Sequence, residues 1–209
     1  MASEQTAQPK ARRRGRGADP EETKSQLVAA AIESLIEEGY RGTTARSIGE
    51  RAKCNQAAIY YHFGGIEALL VEALKQSSAE RLSRYQKALP QADNLQDVVT
   101  QNEKLYAEDS AHLALLTELT GGITAAPELR QGIADATAPW LEYVETQIAE
   151  VTKDLPFGAM LPQSDLADLV FSIVIGVELR NKIDDSPDRS ARLFRLARLA
   201  AGLADGASQ

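Results

Sequence analysis

The stretch TTARSIGERAKCNQAAIYYHF, residues 43–63, decides the fold that this sequence predicts. A hydroxyl residue, Thr43 or Thr44, can cap a short helix, and a second short helix runs from about Gln56 to Phe63. Three residues connect the two helices. Two short helices joined by so tight a turn predict a helix-turn-helix.

The two short helices have one apolar side and one polar side. Ile48, Ala52, Ile59 and Phe63 are spaced so that they pack inward against a preceding helix. The outer side of the second short helix then carries Asn55, Gln56, Ala57, Tyr60 and Tyr61. This outer side has the composition of a surface that enters the DNA major groove.

Each outward residue type has a chemical reason to contact DNA. Asn and Gln make paired hydrogen bonds to adenine, and the methyl group of Ala57 can meet a thymine methyl. The tyrosines and His62 offer donors to phosphates, and Arg46 can reach a guanine edge or a phosphate. Two alternatives stay open at this point. The tyrosine rings are half-buried aromatics, or His62 is a core or capping histidine.

The rest of the chain is predicted to be helical. A first helix begins at Asp19-Pro20 and stops at Gly39, and a long helix follows Gly64-Gly65 from Ile66 to about Ala88. Further helices are predicted near 94–107, 111–123, 127–137, 140–153, 165–184 and 187–204, with a kink or break at Pro139, a loop over 154–162 and a capped start at Ser186-Pro187-Asp188. No long stretch alternates with period two, so we expect an all-α protein.

Charge is concentrated at one end of the chain. The 209 residues carry a net charge of −7, yet residues 1–17 carry Lys10, Arg12, Arg13, Arg14 and Arg16 against a single acid. A basic arm of this kind favours contact with a polyanion, and its Arg-Gly-Arg core suits an A·T-rich minor groove. The alternative is a disordered tail that only adds solubility.

Composition excludes several classes of protein. The single cysteine, Cys54, excludes a disulfide framework, and with two histidines a metal cage is not expected. There is no apolar run of membrane-spanning length and no apolar segment typical of a signal peptide, so we expect a cytoplasmic protein without a membrane partner. The sequence holds none of the common nucleophile, phosphate-loop, zinc or dinucleotide motifs, so we expect neither an enzyme nor a cofactor.

Three segments together resemble the TetR family of bacterial transcriptional regulators. They are GYRGTT at 39–44, AKCNQAAIYYHF at 52–63 and EALL at 67–70, and IYYHF is the most specific part. The resemblance implies an all-helical homodimer, in which an N-terminal three-helix DNA-binding domain joins a larger helical domain for dimerisation and ligand binding. We therefore expect a basic flexible arm at 1–18, a DNA-binding domain at 19–65 and a regulatory domain at 66–209.

The resemblance also implies roles for individual residues. Gln56, Ala57, Tyr60, Tyr61 and His62 would lie on the recognition helix, with Thr44, Ala45 and Arg46 at the start of the helix that crosses the DNA backbone. Two positions depart from the family pattern. Lys53 replaces the usual glycine of the turn. If this position has a positive φ, a lysine there adds roughly 1 kcal/mol of strain, and its side chain also places a charge near the phosphates. Gly65-Ile66 replaces a small or polar residue followed by a phosphate-contacting lysine.

The last two helices are the expected dimer pair. Their apolar stripes contain Leu166, Leu169, Val170, Ile173 and Val177, then Leu193, Leu196, Leu199 and Leu203, and Gly176 and Gly202 would permit close approach. The alternative is that these stripes only close the core of the monomer. A two-fold dimer would match a palindromic operator.

A small-molecule pocket is expected among the helices from 66 to 180. Its candidate polar and aromatic residues are Tyr106, His112, Glu118, Trp140, Tyr143 and Glu178, within a mostly aliphatic lining that favours an apolar or amphipathic effector. The alternatives are that Trp140 belongs to the core and that the two glutamates face solvent or pair with Arg130 or Arg180.

The functional prediction is a ligand-responsive repressor that binds an operator in double-stranded DNA. Effector binding would favour a dimer whose recognition helices are wrongly spaced, with the long helix from Ile66 as the lever. An enzyme and a helical adaptor that has lost DNA binding are the two rival interpretations.

Overall fold

The computed structural model of the chain describes residues 19–88, 94–153, 160, 162–184, 186 and 188–207. These residues form nine helices and no strand, which confirms the predicted all-α class. The helices are α1 (Pro20–Gly42), α2 (Ala45–Ala52), α3 (Ala57–Phe63), α4 (Ile66–Ala88), α5 (Leu95–Glu108), α6 (Ser110–Gly122), α7 (Leu129–Thr152), α8 (Gln163–Ile183) and α9 (Arg189–Ala207).

Some predicted features fall outside the described residues. The basic arm at 1–18 is one of them, as are Pro187 and most of the predicted loop over 154–162.

The first helix begins and is interrupted where its sequence predicts. The Asp19 side chain accepts a hydrogen bond from the Glu21 backbone N–H at 3.1 Å, and Pro20 occupies the first turn, where its missing N–H costs nothing. At Gly39 the backbone takes φ +69°, a left-handed conformation that glycine adopts without steric cost. A last short turn follows, and α1 ends at Gly42.

The helix-turn-helix is held by apolar burial against α1 and α4. Ile48 and Ile59 are completely buried, and Ala52 and Phe63 are partly buried against the same cluster, as predicted. This cluster continues without interruption into α6 and α7 through Leu119. One apolar core therefore extends across the predicted domain boundary at residue 65.

The expected separation into two helices at Pro139 is wrong, because α7 runs through this residue from Leu129 to Thr152. Proline removes one hydrogen-bond donor from the helix interior. Bonds from outside the helix support the backbone here. The Ser78 hydroxyl donates to the Ala136 carbonyl, and the indole N–H of Trp140 donates to Ser78 Oγ, each at 2.9 Å. The buried indole thus anchors the helix to α4 directly after the proline.

Within the described residues, no helix combines the length and apolarity that crossing a membrane requires.

Candidate nucleic-acid interface

Helix α2 starts in a capping box. The Thr44 hydroxyl accepts from the Ser47 backbone N–H at 3.0 Å, and Ser47 Oγ accepts from the Thr44 N–H at 2.9 Å. Both partners belong to the first turn, so the reciprocal pair fixes the direction in which α2 leaves α1. Thr44 therefore has a structural task at the place where the sequence predicts a DNA contact, and it remains exposed.

The turn between α2 and α3 depends on two unusual positions. Lys53 has φ 55° and ψ 32°, so the left-handed conformation anticipated for this departure from the family pattern is present. Its side chain is exposed. A Cβ atom on Gly49 would lie 3.1 Å from the Cys54 carbonyl oxygen and 3.2 Å from the Gln56 nitrogen. Glycine at 49 thus allows the turn to close on α2, a requirement that the sequence analysis missed.

Asn55 precedes α3 rather than lying on its outer side, which corrects its predicted placement. Its side-chain oxygen accepts from the Ala57 backbone N–H at 2.9 Å, and its carbonyl accepts from Ala58 N–H at 2.8 Å. The side chain therefore satisfies a helix-terminal donor. The amide oxygen thus already accepts one hydrogen bond from the protein backbone, which restricts how Asn55 can approach a base.

The outer side of α3 is open. Gln56 and Ala57 are exposed, and the exposed fractions of Tyr60 and Tyr61 are 58% and 85%. The alternative of half-buried tyrosine rings therefore does not hold. His62 is half-buried, and its ring lies edge-on to the ring of Tyr61, with 4.9 Å between the centroids. Hydrogen-bonding groups and two aromatic rings thus project from one side of a short helix.

Arginines take two different positions around this surface. The Arg46 side chain is exposed and pairs with Glu50 of the same helix, with 2.8 Å between Nε and Oε1. An ion pair of this kind in water is weak, so the guanidinium can exchange it for a phosphate. Arg51 faces inward to Glu33, Glu37 and Glu38 on α1 at 2.8–3.5 Å. Arg51 therefore holds α2 against α1, a role that sequence spacing did not reveal.

The comparisons with known proteins agree with this geometry. Residues 27–73 match the family described as bacterial regulatory proteins, tetR family. Over this segment the chain is similar to the TetR family. Its matched segment begins in α1, includes the whole helix-turn-helix and ends in the first half of α4.

Individual relatives extend the likeness beyond the DNA-binding segment. The chain is 27% identical over 107 residues to the fatty acid metabolism regulator protein of Bacillus subtilis, covering 51% of this chain and 52% of that one. It is 25% identical over 183 residues to the transcriptional regulator CymR of Pseudomonas putida, covering 82% and 85%. Matches to three Bacillus subtilis regulators span between 31% and 52% of those proteins' lengths.

A solved structure shares the complete fold. The fatty acid degradation regulator FadR from Bacillus halodurans superimposes with a TM-score of 0.70 at 18% identity, covering 85% of this chain and 93% of that chain. At this level of identity the likeness concerns the fold alone.

Two predicted pocket residues lie in the interior around α4. Trp140 is buried, and its ring packs edge-on against Tyr85 with centroids 5.0 Å apart. His112 is also buried and shares a 2.8 Å hydrogen bond with Ser77 Oγ. Burial, together with the nearby Arg81 cation, lowers the pKa of His112 to about 4, so its imidazole is neutral at neutral pH.

Tyr143 differs from these residues because its hydroxyl is buried without a hydrogen-bond partner among the described residues. Burial raises its pKa to about 12, so the group stays a phenol. A buried polar atom of this kind calls for a partner that the described residues do not supply.

The remaining pocket candidates bridge different helices. The Tyr106 hydroxyl donates to Glu178, which links α5 to α8. Glu118 accepts from the Tyr40 backbone N–H and pairs with Lys182. Neither glutamate pairs with Arg130 or Arg180, which corrects the partners considered in the sequence analysis. The described residues form two concave surfaces, one between α1, α3 and α4 and one on α8 and α9. None of the six predicted pocket residues lines either surface.

Sequence reasoning missed a buried charged cluster in the same region. Asp109 is buried, and its carboxylate accepts from Arg81 Nε at 2.5 Å and from Arg84. The Arg81 guanidinium carbon lies 4.4 Å from the centre of the Trp140 ring. Arg81 and Asp109 are 28 positions apart, so no local pattern in the sequence connects them.

Two substitutions at Lys53 separate the effect of backbone strain on stability from the effect of the lysine charge on DNA binding. Lys53→Ala and Lys53→Gly both remove the charge, but only glycine relieves the left-handed strain. We expect the glycine variant to be the more stable of the two by about 1 kcal/mol in urea unfolding. Both variants should show equally weakened DNA binding with a shallower salt dependence. Equal stabilities would show that the turn is not strained at this position.

Proposed function

We propose that this regulator is a ligand-responsive repressor that acts as a homodimer on a palindromic operator. The observation that carries the proposal is the open outer side of α3, where Tyr60 and Tyr61 are exposed next to Gln56 and Ala57. Large aromatic rings that are exposed side by side on a short helix are typical of a surface that contacts another molecule.

The proposed DNA contacts divide into two groups. Gln56, Ala57, Tyr60 and Tyr61 enter the major groove and meet base edges or the backbone beside them. Lys53, Arg46 and His62, together with the free donors of Asn55 and the exposed Thr44, contact phosphates. The basic residues of the arm supply further charge, because the segment from 18 to 64 is itself slightly acidic.

Dimerisation through α8 and α9 is supported by the apolar surface on these helices. Leu169, Val170, Ile173, Leu179 and Ile183 on α8 and Leu193, Leu196, Leu199 and Leu203 on α9 are all exposed. Val177 of the predicted α8 stripe is buried within the protomer and Leu166 is half-buried, which corrects their predicted place in the dimer face. The exposed residues of the two stripes do not close the core of one protomer. An apolar patch on this scale is typical of an interface between protein chains.

The two glycines of these helices have different surroundings. A Cβ atom on Gly176 would meet nothing within 4 Å, so this position is open to a partner helix. A Cβ atom on Gly202 would lie 2.4 Å from Gln96 Nε2 of α5. Gly202 therefore serves packing within the protomer, which corrects its predicted place in the dimer face.

The proposed effector is an amphipathic molecule that binds among α4 to α8. The buried and unpartnered hydroxyl of Tyr143 supports a polar contact there. Two similar proteins are named for fatty acid metabolism or degradation, so compounds with a long acyl chain are the first probes. The bound effector favours a dimer whose recognition helices do not fit successive major grooves, and DNA and effector oppose each other reciprocally.

A helical adaptor without DNA binding is the second candidate. The specific observation in its favour is that Gly65-Ile66 stands where the family has a phosphate-contacting lysine. The open face of α3 favours the repressor over the adaptor.

Tyr61→Ala tests the DNA-binding proposal. Because Tyr61 is 85% exposed, its truncation should leave the fold and melting temperature unchanged. We expect the affinity for DNA selected from a random pool, or for the gene's own upstream region, to fall at least tenfold, the loss of about 1.4 kcal/mol of contact. Tyr61→Phe is the matched control that separates the hydroxyl from the ring. Unchanged affinity in the alanine variant would contradict the placement of α3 in the groove.

Leu196→Glu tests the dimer. A charge in the centre of the α8 and α9 surface should give a folded monomer in sedimentation experiments at micromolar protein, because the partner would have to bury that charge. Ile36→Glu, at an exposed apolar residue of α1, is the control and should remain dimeric. A dimer that survives Leu196→Glu would refute this interface.

Palmitic acid and palmitoyl-coenzyme A test the effector. A ligand that binds the folded state at 100 times its Kd adds about 2.7 kcal/mol of stability, so the melting temperature should rise and selected DNA should be released. Tyr143→Phe should reduce that rise without lowering the stability of the free protein, because the lost hydroxyl has no partner. No shift with either compound would reject the acyl class.

A further inference from the structure

The end of α1 is tied to the regulatory helices by a backbone hydrogen bond. The left-handed conformation of Gly39 interrupts the helix, and the N–H of Tyr40 donates to Glu118 Oε2 on α6 at 3.0 Å. The Gly39 carbonyl accepts from both the N–H and the hydroxyl of Thr43, at 3.1 and 2.8 Å. The Tyr40 N–H, which the interruption leaves without a helical partner, thus bonds to a distant helix, and the Gly39 carbonyl bonds to Thr43.

The other oxygen of the Glu118 carboxylate faces α8. Oε1 lies 2.6 Å from Lys182 Nζ, so one side chain joins α1, α6 and α8. Burial alone would raise the pKa of Glu118, but the hydrogen bonds from Lys182 and from the Tyr40 N–H hold it below its usual value. Lys182 lies next to Ile183 and three residues after Leu179, both of which belong to the proposed dimer face.

Close packing makes this junction stiff. A Cβ atom on Gly122 of α6 would lie 2.9 Å from ring atoms of Tyr40. The absence of a side chain at 122 therefore lets the ring lie directly on the α6 backbone. A shift of α6 must carry Tyr40 with it, because interiors packed this closely transmit displacement.

The helix-turn-helix begins a few residues later. Thr44 caps α2 four residues after Tyr40, and Arg51 of α2 returns to Glu38 of α1 at 2.9 Å. Tyr40 thus lies close to the start of α2, and α3 follows α2 after the four residues 53–56. A continuous set of contacts therefore leads from Glu118 through Tyr40 and α1 to α2.

We propose that Glu118 is a positioning residue for DNA binding, which couples the position of α8 to the orientation of the helix-turn-helix through its contacts with Lys182 and the Tyr40 N–H. The inference rests on the proposed function for its readout in DNA affinity. It gives the dimer helices a direct route to the DNA-binding surface, in addition to the lever of α4.

Three variants separate the two contacts. Glu118→Ala removes both, Glu118→Gln keeps an acceptor for the Tyr40 N–H but loses the charge, and Lys182→Met removes the ion pair alone. Lys75→Met is the matched control, since Lys75 pairs with Asp135 between α4 and α7 at 3.6 Å and does not contact α1. Full-length protein is used throughout, with a DNA duplex selected from a random pool by the wild type.

We expect Glu118→Ala to weaken DNA binding about tenfold, a typical size for coupling between sites. Lys182→Met should weaken it less, because solvent screens a pair that is about one-third exposed, and it should have no further effect in the Glu118→Ala background. Amide hydrogen exchange should become faster at Tyr40 and through residues 44–52, while α7 is unchanged. Lys75→Met should match the wild type in every measurement.

The outcomes distinguish the two proposals. If the wild type selects no DNA duplex from the random pool, the proposed function is rejected. Amide hydrogen exchange through residues 44–52 then still tests the coupling. Unchanged exchange there in Glu118→Ala, or DNA affinity within twofold of the wild type, overturns the inference. If Glu118→Ala does not fold, Glu118→Gln and Lys182→Met still test the contact with α8, and unchanged exchange through residues 44–52 in both variants overturns the inference.

Discussion

Burial of two isoleucines under α1 and α4 is the contact on which the proposed DNA-binding surface depends. Helices of eight and seven residues, the lengths of α2 and α3, are too short to be stable in water by themselves. Ile48 and Ile59 are fully buried and supply the apolar contact that holds both helices in place. All the polar and aromatic groups on the other side of α3 are presented by this contact, so the inner side of the motif positions the outer side.

Local rules of chain geometry made much of this arrangement predictable. The cap at Asp19, the interruption at Gly39 and the inward positions of the apolar residues follow from hydrogen-bond satisfaction and helical spacing. Lys53 was singled out because it stands where glycine is usual, and its φ of 55° bears this out. Asn55 was misplaced because an amide suits both base recognition and helix capping, and only coordinates distinguish the two uses.

Features that join distant parts of the chain were not predictable from local patterns. The hydrogen bond that ties α7 to α4 near Pro139 comes from Ser78, which lies 58 positions from the Ala136 carbonyl that accepts it. Glu118 was grouped with the polar and aromatic candidates for a pocket. Its partners are Lys182, 64 positions away, and a backbone N–H that exists as a free donor only because α1 is interrupted. Such contacts are properties of the folded chain as a whole.

The position of Trp140 has a practical consequence for spectroscopy. It is the single tryptophan of the chain, and its ring lies against Tyr85 and the Arg81 guanidinium at the contact between α4 and α7. Intrinsic emission excited at the red edge of protein absorbance therefore comes from one site in the regulatory half of the fold. Quenching or a spectral shift of that emission reports rearrangement around the buried arginine, with no contribution from the exposed tyrosines of α3.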